Sequence, residues 1–86
     1  MPPAELIDVA RRHVGELAGV DVEAISSLVR NGDGVWVVTA EALELARVPR
    51  TMDLMASYEI TLTGDGELLG FRRVGRYERS ALQAGR

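Results

Sequence analysis

Three observations predict an α+β fold in which one N-terminal helix packs on a four-stranded antiparallel meander sheet made of two successive hairpins. Apolar residues near the N-terminus recur at three- and four-residue spacing and stop at a glycine, the pattern of an amphipathic helix. From Leu54 to Thr63 the side chains fall into an apolar and a mainly polar set in period two, as in a strand with one buried and one wet face. Two turn signals, Asn31-Gly32-Asp33-Gly34 and Thr63-Gly64-Asp65-Gly66, each separate two strand-like runs. The chain has 86 residues, which allows one domain, 1–86. A chain of this size buries only about 60–65% of the surface its unfolded form exposes, so its core is small.

The helix is expected over about 4–18. Pro2-Pro3 suits a first turn, where a missing amide hydrogen is no loss. Ile7, Ala10, Val14 and Leu17 form the stripe, widened by Leu6 and Ala18. Asp8, Arg12 and Glu16 make i,i+4 pairs on the wet side. Gly19 is free to adopt the left-handed conformation that ends a helix.

The stretch Gly34–Arg50 organises the sheet. Val35, Trp36, Val37, Val38 and Thr39 favour a pleated surface. Glu41–Arg47 is helix-friendly in composition, yet the parity of Trp36, Val38, Ala40 and Ala42 continues as one strand face. It reads as one strand, about 35–46, with room for a bulge near Glu41–Glu44. A preceding strand, about 24–30, would set Val29 against Trp36, Ser27 against Val38 and Ile25 against Ala40, gathering the apolar residues on one face. Trp36, the only tryptophan, is expected to be buried between sheet and helix against Val29 and either Val14 or Leu17.

A third strand, about 54–63, carries Leu54, Ala56, Tyr58, Ile60 and Leu62 on its apolar side. Asp65-Gly66 signals a type I′ turn into a last strand of about 67–78. That register puts Leu62 opposite Leu69, Ile60 opposite Phe71 and Leu54 opposite Tyr77, with Glu59 meeting Arg72 on the wet face. Residues 80–86 are expected to fray. The first and last strands are edges, and a homodimer through an edge strand is one consequence of leaving them unpaired.

Composition narrows the function. The net charge of −3 argues against general nucleic-acid binding. There is no cysteine for a disulfide framework or a thiolate zinc site. No apolar run approaches the ~20 residues that span a bilayer, and no signal peptide is visible, so a cytoplasmic protein is expected. Enzyme readings lack parts. His13 is the only histidine and has no orienting partner. Ser26, Ser27, Ser57 and Ser80 have no neighbouring base in sequence to activate them. Asp33 and Asp65 are turn residues, and no helix follows the glycines to hold a phosphate. No catalytic, cofactor-binding or metal-binding residue is assigned, and no cofactor is expected.

Two charged groups remain. Glu41, Glu44 and Glu59 would be brought close on the solvent side of the sheet. Arg72, Arg73, Arg76 and Arg79 surround Tyr77, with Arg47 and Arg50 at the far hairpin end. A solvated, salt-bridged face explains both sets. So does a protein-docking surface of Glu41, Glu44, Glu59, Arg72, Arg76 and Arg79, since arginine is a favoured interface anchor. Tyr77 is excluded from it because the register turns it toward the core with Leu54.

Trp36 followed by Val37-Val38-Thr39-Ala40-Glu41, then Glu44, Val48-Pro49, Thr51, Asp53, Tyr58-Glu59, Asp65-Gly66-Glu67-Leu68, Gly70 and Arg76-Tyr77-x-Arg79, resembles the gas vesicle protein O family (GvpO). The resemblance runs from about Ala4 to Arg79. Ala40 stands where the family pattern has a second valine. Members often carry a charged, disordered N-terminal extension that is missing here, which fits a trimmed chain or a short member. The family brings no catalytic residues. It implies a non-enzymatic part in vesicle assembly through contact with the AAA+ ATPase encoded beside it (GvpN) or with other vesicle proteins, and a regulatory role in expression has been attached to archaeal members. Two other readings stay open: a cystatin-like or PepSY-like protein-binding or inhibitory module, and an RNA-contacting regulator.

Overall fold

The computed structural model describes residues 1–80. One helix, α1 (Pro3–Ala18), is followed by strands β1 (Asp21–Arg30), β2 (Trp36–Leu45), β3 (Leu54–Leu62) and β4 (Leu68–Glu78), with a 3-10 turn at Arg50–Met52. The strands form one antiparallel sheet in the order β1-β2-β3-β4, the helix and two-hairpin meander that the sequence predicts. The expected frayed tail lies, apart from Ser80, outside the described residues.

The amide hydrogens of Glu5 and Leu6 bond to the Pro2 carbonyl, so the proline pair opens α1. Gly19 closes it at φ 67°, donating to the Gly15 carbonyl. The helix packs across β1, β2 and β3. Its buried line is Leu6, Ala10 and Val14, set against Val38, Ala40, Ala42, Ala56, Tyr58, Ile60 and Leu62. Leu17, expected in the stripe, lies beyond that line and is 54% exposed.

Both hairpins turn in the same way. Gly34 donates to the Asn31 carbonyl and Gly66 to the Thr63 carbonyl, while Asn31 and Thr63 donate to Val35 and Glu67. Only the last glycine of each turn has positive φ (83° and 85°), and among the described residues no non-glycine does. A type I′ turn needs two such central residues, so the expected turn at Asp65-Gly66 is replaced by a turn followed by one left-handed glycine.

Bulges correct the expected register. Ile25 opposes Ala40 as expected, but Ser26 is an extra residue, so Val29 opposes Val37 and Arg30 opposes Trp36. Trp36, the first residue of β2, lies half-buried at the turn end of the sheet, with the Arg30 guanidinium 6.0 Å from its ring. Val29 is exposed, and the core centres one step further along β2 than the expected tryptophan anchor. In the second hairpin Glu59 opposes Arg72 and Ile60 opposes Phe71, as expected. Extra residues at Leu69 and Val74 instead set Leu62 opposite Leu68 and Met55, not Leu54, opposite Tyr77. In β2 the irregularity falls at Glu44, inside the stretch where a bulge had room.

Candidate functional site

Strand alternation divides the acidic residues expected to sit together. Glu41 and Glu44 are three residues apart on β2 and leave opposite faces of the sheet. Glu41 lies on the face away from α1. Its Oε1 accepts hydrogen bonds from the Ser57 hydroxyl (2.5 Å) and the Tyr77 hydroxyl (2.8 Å), and its Oε2 accepts one from Ser26 (2.6 Å). Burial pushes the Glu41 pKa up, but the three donated bonds together outweigh it and hold the carboxyl below its ordinary range. Burial and then the bond to Glu41 push the Tyr77 pKa up, so its proton is retained. Tyr77 thus belongs to the open face, not to the core beside Leu54; the bulge at Val74 changes its partner.

Glu44 works on the helix side, beyond the end of the helix-covered core. Its Oε2 accepts from the Tyr58 hydroxyl (2.8 Å) and from Arg73 Nη1 (3.2 Å), and its Oε1 from Arg76 Nε (2.7 Å). The Tyr58 ring is buried and stacked on Phe71 with centroids 5.5 Å apart, so only its hydroxyl end reaches the acid. The Glu44 side chain is 12% exposed, while the Arg73 and Arg76 side chains are about half exposed. Burial raises the Glu44 pKa, yet the Tyr58, Arg73 and Arg76 contacts bring it below the usual value. Burial and the bond to Glu44 raise that of Tyr58.

Glu59 and Arg72 face each other on the open side at 3.1 Å. Both reach solvent, and pairs of that kind contribute about 0–1 kcal/mol.

A third network was not anticipated from sequence as a site. Asp53 is buried at the start of β3. It accepts the Arg47 amide at 2.8 Å and two bonds from the Arg79 guanidinium at 3.0 and 3.2 Å. Arg79 also forks onto both oxygens of Glu23, the bulged residue of β1, at 2.8 Å each. The Arg79 amide donates to the Asp53 carbonyl. One arginine thereby ties the end of β4 to the start of β3 and to the edge strand. The Arg47 amide, then Arg79, lowers the Asp53 pKa against its burial; the Arg79 bond lowers that of Glu23; and Glu23 and Asp53 raise that of Arg79. The available signal was an acid placed immediately before the apolar run of β3, where a strand start rarely carries an unpaired charge.

Of the six residues expected to form one surface, Glu41, Glu59 and Arg72 share the open face, Glu44 and Arg76 pair on the other, and Arg79 closes the sheet end. Arg72, Arg73, Arg76 and Arg79 each contact a carboxylate. Glu23, Glu41, Glu44 and Asp53, held below the usual carboxylate range, and Tyr58 and Tyr77, held above the usual phenol value, present fixed charge and hydroxyl groups.

Fold and site define a small helix-on-meander domain that presents fixed polar groups on both sides of a sheet. The family described as gas vesicle synthesis protein GvpO matches residues 2–83, and the chain belongs to that family. It is 51% identical over 77 residues to gas vesicle protein O of a Streptomyces species (strain CB03234), covering 90% of this chain and 59% of that protein. It is 36% identical over 75 residues to gas vesicle protein O of Haloferax mediterranei, covering 86% and 53%. To gas vesicle protein O1 of Halobacterium salinarum it is 32% identical over 74 residues, covering 86% and 61%. The chain thus spans little more than half the length of these relatives. No solved structure matches it. Among the described residues no helix is long and apolar enough to cross a membrane.

Proposed function

We propose that this chain is a non-enzymatic accessory protein of gas vesicle assembly, acting in the cytoplasm at the vesicle by contact with other vesicle proteins, the AAA+ ATPase GvpN first among them. Family membership over residues 2–83 carries this reading. The helix occupies one side of the sheet, which leaves Glu41, Glu59 and Arg72 on the other as the docking surface, with Arg79 at its end. Both sheet edges, β1 and β4, are interrupted twice by bulges. Such interruptions blunt an edge against pairing, so a face contact is favoured over a homodimer through an edge strand.

The test reverses one pair without removing it. Glu59→Arg combined with Arg72→Glu keeps opposite charges facing each other and should change stability by no more than about 0.5 kcal/mol. Binding to GvpN in a pull-down, and vesicle yield in cells that rely on this chain, should both fall, because rim charges then meet like charges. A folded double variant with unchanged binding and vesicle yield would place the docking surface elsewhere.

A further inference from the structure

The loop between β2 and β3 combines features that the fold does not require. Every residue of 46–52 is exposed. Val48 is 96% exposed, and Met52 and the neighbouring Leu45 are 42% and 50% exposed. A single exposed valine is ordinary by itself; what sets this one apart is the fixed loop that carries it and the charges beside it. The loop is held from below. Asp53 accepts the Arg47 amide at 2.8 Å, Met52 donates to the Pro49 carbonyl at 2.9 Å, and Asp53 donates to the Arg50 carbonyl at 3.0 Å. The Arg79 guanidinium anchors the same aspartate. A loop ordered in advance loses little freedom on binding, which is the condition for a small apolar tip to act as an anchor.

Its charge is also set apart. Arg47 and Arg50 flank Val48-Pro49, and no acid lies between Leu45 and Met52. The nearest acid in sequence after the loop, Asp53, is buried and paired with Arg79. The Arg50 side chain is 78% exposed and only 3.9 Å from Asp53 at its nearest. Among the described residues Arg47 has no ion-pair partner. A chain of net charge −3 therefore carries a local cationic ring around an apolar point.

We propose that this loop is a docking knuckle: Val48 enters an apolar pocket on another vesicle protein, and Arg47 and Arg50 pair with an acidic rim around that pocket. The knuckle rests on the assembly reading above and adds a second contact at the end of the sheet, away from Glu59 and Arg72. A protein pocket fits better than a lipid surface. One valine and one methionine are far less apolar area than a membrane-lying segment uses, and two charges are fewer than a polybasic patch needs.

The test uses the whole chain as the only copy in vesicle-forming cells, with a photoreactive benzoylphenylalanine in place of Ala46 or, as a control on the opposite hairpin turn, of Asp65. Position 46 should crosslink to an acidic vesicle protein and position 65 should not. Val48→Asp, and separately Arg47→Glu with Arg50→Gln, should lower the crosslink from position 46 about tenfold, the effect of losing one anchor contact, while the melting temperature stays unchanged. Equal crosslinking from 46 and 65, or an unaltered yield in both variants, would overturn the knuckle. So would Val48-dependent co-sedimentation of the purified chain with phosphatidylglycerol vesicles, which would assign the loop to lipid. Deletion separates the two ideas. Normal vesicles without the chain would end the assembly reading, whereas vesicles lost on deletion but normal with Val48→Asp would end only this inference.

Discussion

Glu41 and Glu44 leave one strand three residues apart, and each carboxylate accepts three hydrogen bonds, but the donors are of opposite kinds. Glu41 is held by three neutral hydroxyls, from Ser26, Ser57 and Tyr77. Glu44 is held by two guanidinium groups and the hydroxyl of Tyr58. Hydroxyl bonds lower a carboxyl pKa without cancelling its charge, so the open face around Glu41 is anionic. Two arginines on one acid leave the surface around Glu44 cationic. The same residue type on the same strand thus sits in a net anionic cluster on one side of the sheet and in a net cationic one on the other. The difference arises from parity and from the bulges that deliver Ser26 and Glu44 to their positions.

The largest effect should separate the covered face from the open one. Ile60→Ala removes a fully buried side chain beneath the helix and should cost about 2–5 kcal/mol in urea unfolding. Trp36→Ala should cost less than Ile60→Ala, because the ring is only half-buried; an equal or larger loss would restore the tryptophan as the core's centre. Thr61→Ala, on the open side, should stay within about 0.5 kcal/mol.

Next come the acids themselves. Glu41→Gln and Glu44→Gln should each cost about 1.5–3 kcal/mol, the range for hydrogen bonds to a charged group. Salt should tell them apart. In 1 M NaCl, where the screening length is about 3 Å, the penalty of Glu44→Gln should shrink while that of Glu41→Gln persists. Equal salt sensitivity would break the contrast.

Stability should also fall at both ends of the pH scale. Glu23, Glu41, Glu44 and Asp53 have lowered pKa values in the folded chain, so they bind fewer protons there than when unfolded. Their contribution is present above the ordinary values of 4.5 and 3.8 and is lost as pH falls through the lowered ones. Tyr58 and Tyr77 have raised values, so their contribution is present below the ordinary value of 10 and is lost as pH rises beyond it. Midpoints of urea unfolding between pH 2 and 11 would trace both limbs.

Much of the fold was legible because burial repeats. The alternation through Ala56, Tyr58, Ile60 and Leu62, the helical spacing of Leu6, Ala10 and Val14, and the paired Gly-Asp-Gly turns each carry a periodic or conformational requirement. The site was less legible because bulges carry no periodic signal. Ser26 and Val74 shift the register by one, which put Arg30 in place of Val29 opposite Trp36 and brought Tyr77 to Glu41. Extrapolating one unbroken register therefore gave correct partners at Ile25, Glu59 and Ile60 and incorrect ones at Val29, Leu62 and Leu54. Asp53 and Glu23 depend on Arg79, which reaches them only after the chain has crossed the sheet. Distances of 26 and 56 residues in sequence hide such a pairing.

The hydroxyl bonds to the two acids supply the most direct test. Carbon-13 NMR titration of the side-chain carboxyls, in the unaltered chain and in Tyr77→Phe and Tyr58→Phe, reads each acid's own hydrogen bonds. Both Glu41 and Glu44 should titrate below 4.5 in the unaltered chain. Tyr77→Phe should raise the pKa of Glu41 and leave Glu44 unmoved, and Tyr58→Phe should do the reverse, each at a stability cost of about 0.5–1.5 kcal/mol. A Tyr77→Phe variant that moves Glu44, or that moves neither acid, would contradict the division of these two carboxylates between opposite faces of the sheet.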